Sequence, residues 1–171
     1  SLKGGRRSGA VQPARLCPLA LSDVPGDDLS VIASGPTVPD PTTFADALEI
    51  LRRYQIQPTP AIQALLEAAE EETPKPRENI FSRNQVRLVA TPQLMLEAAA
   101  KEAEKFGITP IILSDRIEGE AREVAKVHAA IAKQIKHRDQ PLNAPAMILS
   151  GGETTVTVRG NGKGGRNTEF I

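Results

Sequence analysis

The second half of the chain alternates two kinds of apolar pattern. Val86 to Ala90, Pro110 to Leu113 and Ala146 to Ser150 are short apolar runs of strand length bounded by turn residues. Between them, Leu96, Ala99, Ala103 and Phe106 recur at helical spacing after Thr91-Pro92, a cap followed by a proline, and before Gly107, a C-terminal stop. Val124, His128, Ile131 and Ile135 form a second helical stripe in a helix expected from about Gly119. Strand, helix, strand, helix, strand predicts an α/β fold with a parallel sheet and crossover helices. Thr154 to Val158 is β-branched and alternating, which predicts one more strand.

The first half is less regular. Leu16 to Ser22 reads as a buried strand that Pro18 pushes to an edge or a bulge. Two loops follow, Asp23-Val24-Pro25-Gly26-Asp27-Asp28 and then Ala33 to Pro41, whose one glycine and three prolines no regular element tolerates. Thr43 and Asp46 have capping-box spacing ahead of a helix running to about Tyr54. Thr59-Pro60 opens another helix, with Ile62, Leu65, Leu66 and Ala69 as its stripe. The charged, proline-containing stretch Glu70 to Glu78 is the candidate domain boundary, and it is equally compatible with a solvated helix end inside one domain.

Charge narrows the classes of function. The 171 residues carry 21 Lys plus Arg against 21 Asp plus Glu, whereas a protein that neutralises many phosphates, or lies on an anionic membrane, carries a basic excess. With four Phe, one Tyr and no Trp there is no stacking platform for nucleic acid either. Cys17 is the only cysteine, so no intrachain disulfide and no multi-cysteine zinc site can form, and it reads as a small hydrophobe in an apolar run. No apolar run reaches the roughly 20 residues that span a bilayer, which sets the expectation of a soluble, cytoplasmic chain. The chain starts at Ser1 and ends at Ile171 just as a helix begins, so a fragment is expected.

Glycine is concentrated where the chemistry could lie. Positions 151, 152, 160, 162, 164 and 165 hold six of the chain's 13 glycines. One reading is a hairpin at Gly151-Gly152 and a mobile surface loop at Gly160 to Gly165. The other is an anion cradle, in which backbone N–H groups approach a phosphate while Lys163 and Arg166 supply charge, and the position at strand ends of an α/β sheet favours it. Gly160, Gly162 and Gly165 satisfy a dinucleotide GxGxxG, but the acidic partner about 20 residues further on has no room before Ile171, and Walker A is absent. Asp23, Asp27 and Asp28 could hold Mg²⁺ together with phosphate oxygens, or could simply be turn and cap residues. His128 reads as a packed side chain on an apolar helix face, His137 as a cation at a helix end, and no acyl-transfer triad is present.

Four blocks together resemble a known family. Leu21-Ser22-Asp23-Val24-Pro25-Gly26-Asp27-Asp28, Ile32-Ala33-Ser34-Gly35-Pro36-Thr37-Val38-Pro39-Asp40, Ser150-Gly151-Gly152-Glu153-Thr154 and Gly164-Gly165-Arg166-Asn167 are similar to glycerate 2-kinases with a C-terminal MOFRL domain, a family also labelled hydroxypyruvate reductase. The resemblance covers essentially the whole chain, including a Lys-Gly-Gly-Arg segment at residues 3–6, although the family is more than twice as long. It implies that residues 1–78 end a Rossmann-like N-terminal α/β domain and that 79–171 are a MOFRL domain, truncated at its C-terminus, with a mostly parallel sheet. It implies ATP and Mg²⁺ as cofactors, D-glycerate as substrate and a cleft between the domains as the site, with room for a homodimer.

By motif position, Arg166 would stabilise the transition state. Ser34, Gly35, Gly151, Gly152, Glu153, Thr154, Lys163, Gly164, Gly165 and Asn167 would bind phosphate or the glycerate carboxylate, and Asp23 and Asp27 the metal. The family's catalytic Lys has no counterpart here, so the chain alone is expected to be inactive. An NAD(P)H-dependent hydroxypyruvate reductase is the alternative, and a non-catalytic binding remnant a third.

Overall fold

A computed structural model describes residues 2–171. They form two compact units, one of residues 2–20 and Leu29–Arg87, the other of Leu21–Asp28 and Leu88–Ile171.

Helices and loops make up most of the first unit. Helix α1 (Arg6–Ala10) is followed, after a 3₁₀ turn at Ile32–Ser34, by α2 (Phe44–Arg53) and α3 (Pro60–Ala68), which pack on each other. Both α2 and α3 begin where the sequence places them. Thr43 and Asp46 form the expected capping box, the Thr43 hydroxyl accepting from the Asp46 N–H and the Asp46 carboxylate accepting from the Thr43 N–H. Thr59 precedes Pro60 but makes no side-chain cap bond. Buried Ser8 donates to the Thr37 carbonyl at 3.1 Å and accepts from Asn84 Nδ2 at 2.7 Å, so a polar knot ties α1 to two distant segments.

The second unit is organised on a parallel pair, β3 (Thr109–Glu120) and β4 (Ala146–Thr155), paired from Thr109 opposite Ala146 to Glu120 opposite Thr155 with register shifts between Ile112 and Ser114 and between Ser114 and Ile117. Helices α4 (Pro92–Lys105) and α5 (Ala121–Arg138) each pack against both strands, and Ala103 of α4 and Ala121 and Ile135 of α5 are buried. The Thr91 hydroxyl accepts from the Leu94 N–H and caps α4. Helix α5 opens at Ala121, two residues later than the pattern suggests, because Gly119 and Glu120 are still paired in β3. A short helix, α6 (Arg166–Phe170), closes the described chain. No helix among the described residues is long and apolar enough to cross a membrane.

The α/β character and one parallel crossover, β3–α5–β4, therefore hold, and several local expectations change. Strands β1 (Leu19–Leu21) and β2 (Arg87–Ala90) pair with each other, and β2 does not join β3. An apolar run specifies that a strand exists but not its neighbour. Leu19 and Leu21 are 69% and 68% exposed, and Cys17 is exposed too, so the run Leu16 to Ser22 is not the buried strand, nor Cys17 the packed hydrophobe, that composition suggested.

The largest correction concerns Gly151-Gly152. These residues form no hairpin or turn. They lie inside β4, which runs continuously from Ala146 to Thr155 and ends before Val158. The reason is steric: Gly152 has φ +145°, and a Cβ there would lie 2.0 Å from the Ile117 carbonyl oxygen. Glycine lets β4 close onto β3 across the register irregularity between Ser114 and Ile117, and ladder hydrogen bonds outweigh a local turn preference.

Candidate functional site

In the second unit, strand β4 and helix α6 bring two of the predicted motifs together. Arg166 opens α6, where its guanidinium pairs with the Glu153 carboxylate and donates to the Thr154 carbonyl at 3.3 Å. Both side chains are about half exposed, so the pair is not locked in a dry interior and the guanidinium keeps donors for a ligand. Glu153 thus stands as the partner of Arg166 rather than as a group facing an anion directly. At the start of α6 the Gly165 N–H donates to Thr168 Oγ1 at 2.8 Å, and the same hydroxyl donates back to the Gly165 carbonyl. That N–H is already used.

Residues 156–165 and the start of α6 enclose a cavity of about 530 Å³ whose lining includes Arg122, Arg159, Lys163 and Arg166. Four cationic side chains around one glycine-rich loop give this cavity a positive lining that the neutral total charge conceals. Glu169 offsets part of it by accepting from Arg122 Nε at 2.8 Å, and that hydrogen bond and charge hold the Arg122 guanidinium more firmly protonated than usual. Glu120 accepts from the Thr157 N–H at 2.9 Å and from its hydroxyl at 3.0 Å, which lowers its carboxyl pKa and pins the start of the loop. Gly160 and Gly162 have open space where a Cβ would stand and no positive φ, so steric need does not account for them. Lys163, Gly164 and Gly165 line the cavity, while Asn167 is exposed on the first turn of α6.

A second, smaller cavity of about 250 Å³ opens beside Ser150, Gly151, Gly152 and Thr154 on β4, His128 on α5 and Phe170 on α6. His128 is not a passive packed residue. Its Nδ1 lies 2.9 Å from the Val124 carbonyl, its Nε2 lies 2.9 Å from Ser150 Oγ, and its ring meets Phe170 edge to face at 5.2 Å. Helical spacing alone could not show this, because Ser150 and Phe170 come from other elements.

Asp23 and Asp27 also fall in the second unit. Asp23 is exposed, whereas Asp27 adopts φ +58° and buries its Oδ1 with no hydrogen-bond partner among the described residues. No group of three or more His, Cys, Asp or Glu side chains among the described residues could hold a metal by itself. Magnesium needs only one or two carboxylates when phosphate supplies the rest, so the orphaned Asp27 oxygen fits that ion's chemistry.

Ser34 and Gly35 lie in the first unit, in a run of three left-handed residues with Ala33, at φ 51°, 62° and 56° for Ala33, Ser34 and Gly35. Two non-glycine residues in this region mark a strained backbone. It is held by the Gly4 N–H donating to the Ser34 carbonyl at 2.9 Å and the Gly5 N–H to the Gly35 carbonyl at 2.7 Å. A Cβ on Gly35 would sit 2.7 Å from the Ser30 carbonyl oxygen. These segments line a cavity of about 420 Å³ that also takes in Lys3, Arg6 and Asp40. Asp40 accepts from the Thr42 N–H and hydroxyl and from the Thr73 hydroxyl at 2.9, 2.7 and 3.0 Å. Burial is the largest single influence on its carboxyl and opposes ionisation, but the Thr42 and Thr73 hydrogen bonds together hold it below the usual value.

Comparison with known proteins agrees with these motifs. The family model described as a domain of unknown function, DUF4147, matches residues 1–67, and that of the MOFRL family matches residues 146–171. A protein of Agrobacterium vitis provisionally named a hydroxypyruvate reductase is 50% identical over 173 residues, spanning 100% of this chain and 39% of its own length. The D-glycerate 2-kinase of Thermotoga maritima is 41% identical over 169 residues, 99% of this chain and 39% of its own. The crystal structure of glycerate kinase from Thermotoga maritima superimposes with a TM-score of 0.81 at 40% identity, covering 99% of this chain and 39% of that one. The chain thus spans about two fifths of the length of the relatives it matches.

Proposed function

Taking the chain as kin of the glycerate 2-kinases and the proteins named hydroxypyruvate reductase, to which it is similar over nearly all its length, we propose that it belongs to an ATP-dependent kinase converting D-glycerate to 2-phosphoglycerate. The observation that carries this reading is the cavity lined by Arg122, Arg159, Lys163 and Arg166 around the glycine-rich loop. Phosphoryl transfer asks a protein for positioning and charge neutralisation rather than covalent chemistry.

In this reading the loop cavity receives the polyphosphate of ATP. Arg166, aimed by Glu153 and the Thr154 carbonyl, offers its remaining N–H donors to the transferring group, where charge spreads over three oxygens in the transition state. Lys163 adds a mobile charge, and Gly164 and Gly165 keep the approach clear. Mg²⁺, when bound, would supply charge neutralisation at the phosphates, and Asp27, through its unpartnered Oδ1, with Asp23 four residues before it, would hold it. The strained Ser34-Gly35 segment, near Lys3 and Arg6, is the candidate for the glycerate carboxylate. Residues 1–78 are read as part of the kinase's N-terminal Rossmann-like domain and 79–171 as its MOFRL domain, in a cytoplasmic enzyme. Matches at 1–67 and 146–171 support the two ends of that division.

The full-length protein should phosphorylate glycerate with ATP-Mg²⁺. Replacing Arg166 by Ala should lower kcat by roughly 100-fold, the scale for removing one donor to developing charge, with a smaller change in KM. Unchanged turnover would remove Arg166 from this role. Residues 1–171 alone should not turn over. A second reading, reduction of hydroxypyruvate with NADH or NADPH, is favoured by the names of the Agrobacterium vitis relatives. Oxidation of NADH or NADPH by the same protein, with no phosphorylation, would establish it instead.

A further inference from the structure

The His128 contacts go beyond this reading of the site. A carbonyl oxygen can only accept, so the 2.9 Å contact with the Val124 carbonyl places the proton of the neutral ring on Nδ1. Nε2 is then left with a lone pair, and the Ser150 hydroxyl, 2.9 Å away, donates to it. One ring therefore fixes three elements. Its backbone bond anchors it to its own helix α5, its Nε2 holds strand β4 at Ser150, and its edge-to-face contact with Phe170 holds the last turn of α6.

Helix α6 has five residues, too few to be stable without tertiary partners. Its seat rests on contacts at both ends. Arg166 reaches Glu153 and Thr154 on β4 at the first residue, Glu169 reaches Arg122 on α5, and Phe170 reaches His128. We propose that His128 is a positioning residue, which seats α6 on β4 through Ser150 and Phe170 and so aims the Arg166 guanidinium. The part concerning catalysis rests on the role given to Arg166 above. The seating itself does not.

Two experiments on the full-length protein test it. In ¹⁵N spectra the side-chain nitrogens of His128 report its tautomer, and the proton should be on Nδ1. In the His128→Leu variant, amides of α6 should exchange faster while those of β3 and β4 stay protected. An Nε2-protonated ring, or unchanged exchange in α6, would overturn the seating, and these readouts stand whether or not the protein phosphorylates glycerate. For catalysis, His128→Leu should lower kcat about tenfold with KM for ATP nearly constant, on the scale of a misaimed group. His128→Gln, which keeps a polar atom near the Nε2 position, should recover most of that loss. Adding His128→Leu to Arg166→Ala should cost nothing further, since His128 acts through Arg166. Multiplying effects in the double variant, or no rescue by Gln, would overturn the positioning role, whereas an inactive wild type would instead overturn the kinase reading.

Discussion

Gly152 and Gly160 are the same residue type in one glycine-rich stretch, yet they answer to different physics. At Gly152 the backbone has φ +145° and the Ile117 carbonyl would stand 2.0 Å from a Cβ, against open space at Gly160. Gly152→Ala should destabilise the protein by about 3 kcal/mol or more, through strain and separation of the strands, while Gly160→Ala should stay within about 0.5 kcal/mol. Urea unfolding of the two variants measures the contrast. Asp40 makes a prediction of a different kind. Its folded-state pKa is lowered, so its contribution to stability is present above its unfolded value of 3.8 and is lost as pH falls through the folded value. Asp40→Asn should therefore lower the urea midpoint at neutral pH, and the difference from the parent should shrink as pH falls through the folded-state value. The sequence shows Asp40 only as one carboxylate in a proline-rich loop. Thr73, which completes its hydrogen bonds, lies 33 residues away and no local pattern connects them.

Among the elements, those set by local chemistry were legible and those set by pairing were not. The starts of α2, α3 and α4 follow from Thr43, Thr59-Pro60 and Thr91-Pro92, because capping is decided within a few residues of the helix end. The two unlike caps give a test. Thr91→Ala should cost about 1 kcal/mol, since its hydroxyl accepts from the Leu94 N–H, whereas Thr59→Ala, which loses no cap bond, should cost less than about 0.5 kcal/mol. Thermal unfolding of each variant would show the difference. Strand β3 was foreseen only to Leu113 but continues through Asp115, Arg116 and Glu118 to Glu120, polar residues that a pattern search reads as loop. What continues the strand is the facing backbone of β4, which pairs with Ser114 and with Ile117 to Glu120 on either side of Asp115 and Arg116.

For the molecule as a whole, the stretch from Val156 to Gly165 is the least supported part of the second unit. It has no ladder partner and its residues are nearly all exposed, against a β3–β4 pair covered by α4 and α5. Limited trypsin digestion should cut first at Arg159 or Lys163, ahead of sites in α4 and α5, and nucleotide bound in the loop cavity should slow that cut. Mass analysis of the first products checks both. By itself the sequence determined the α/β class, the helix starts and the motif blocks that carry the resemblance, among them the one holding Arg166, because capping, periodicity and motif spacing are encoded within short windows. Only the tertiary structure decided that Gly151-Gly152 lie in a strand rather than a turn, that Glu153 serves Arg166 and that His128 joins Ser150 to Phe170. Each of those depends on which distant backbone or side chain arrives opposite, and packing alone sets that.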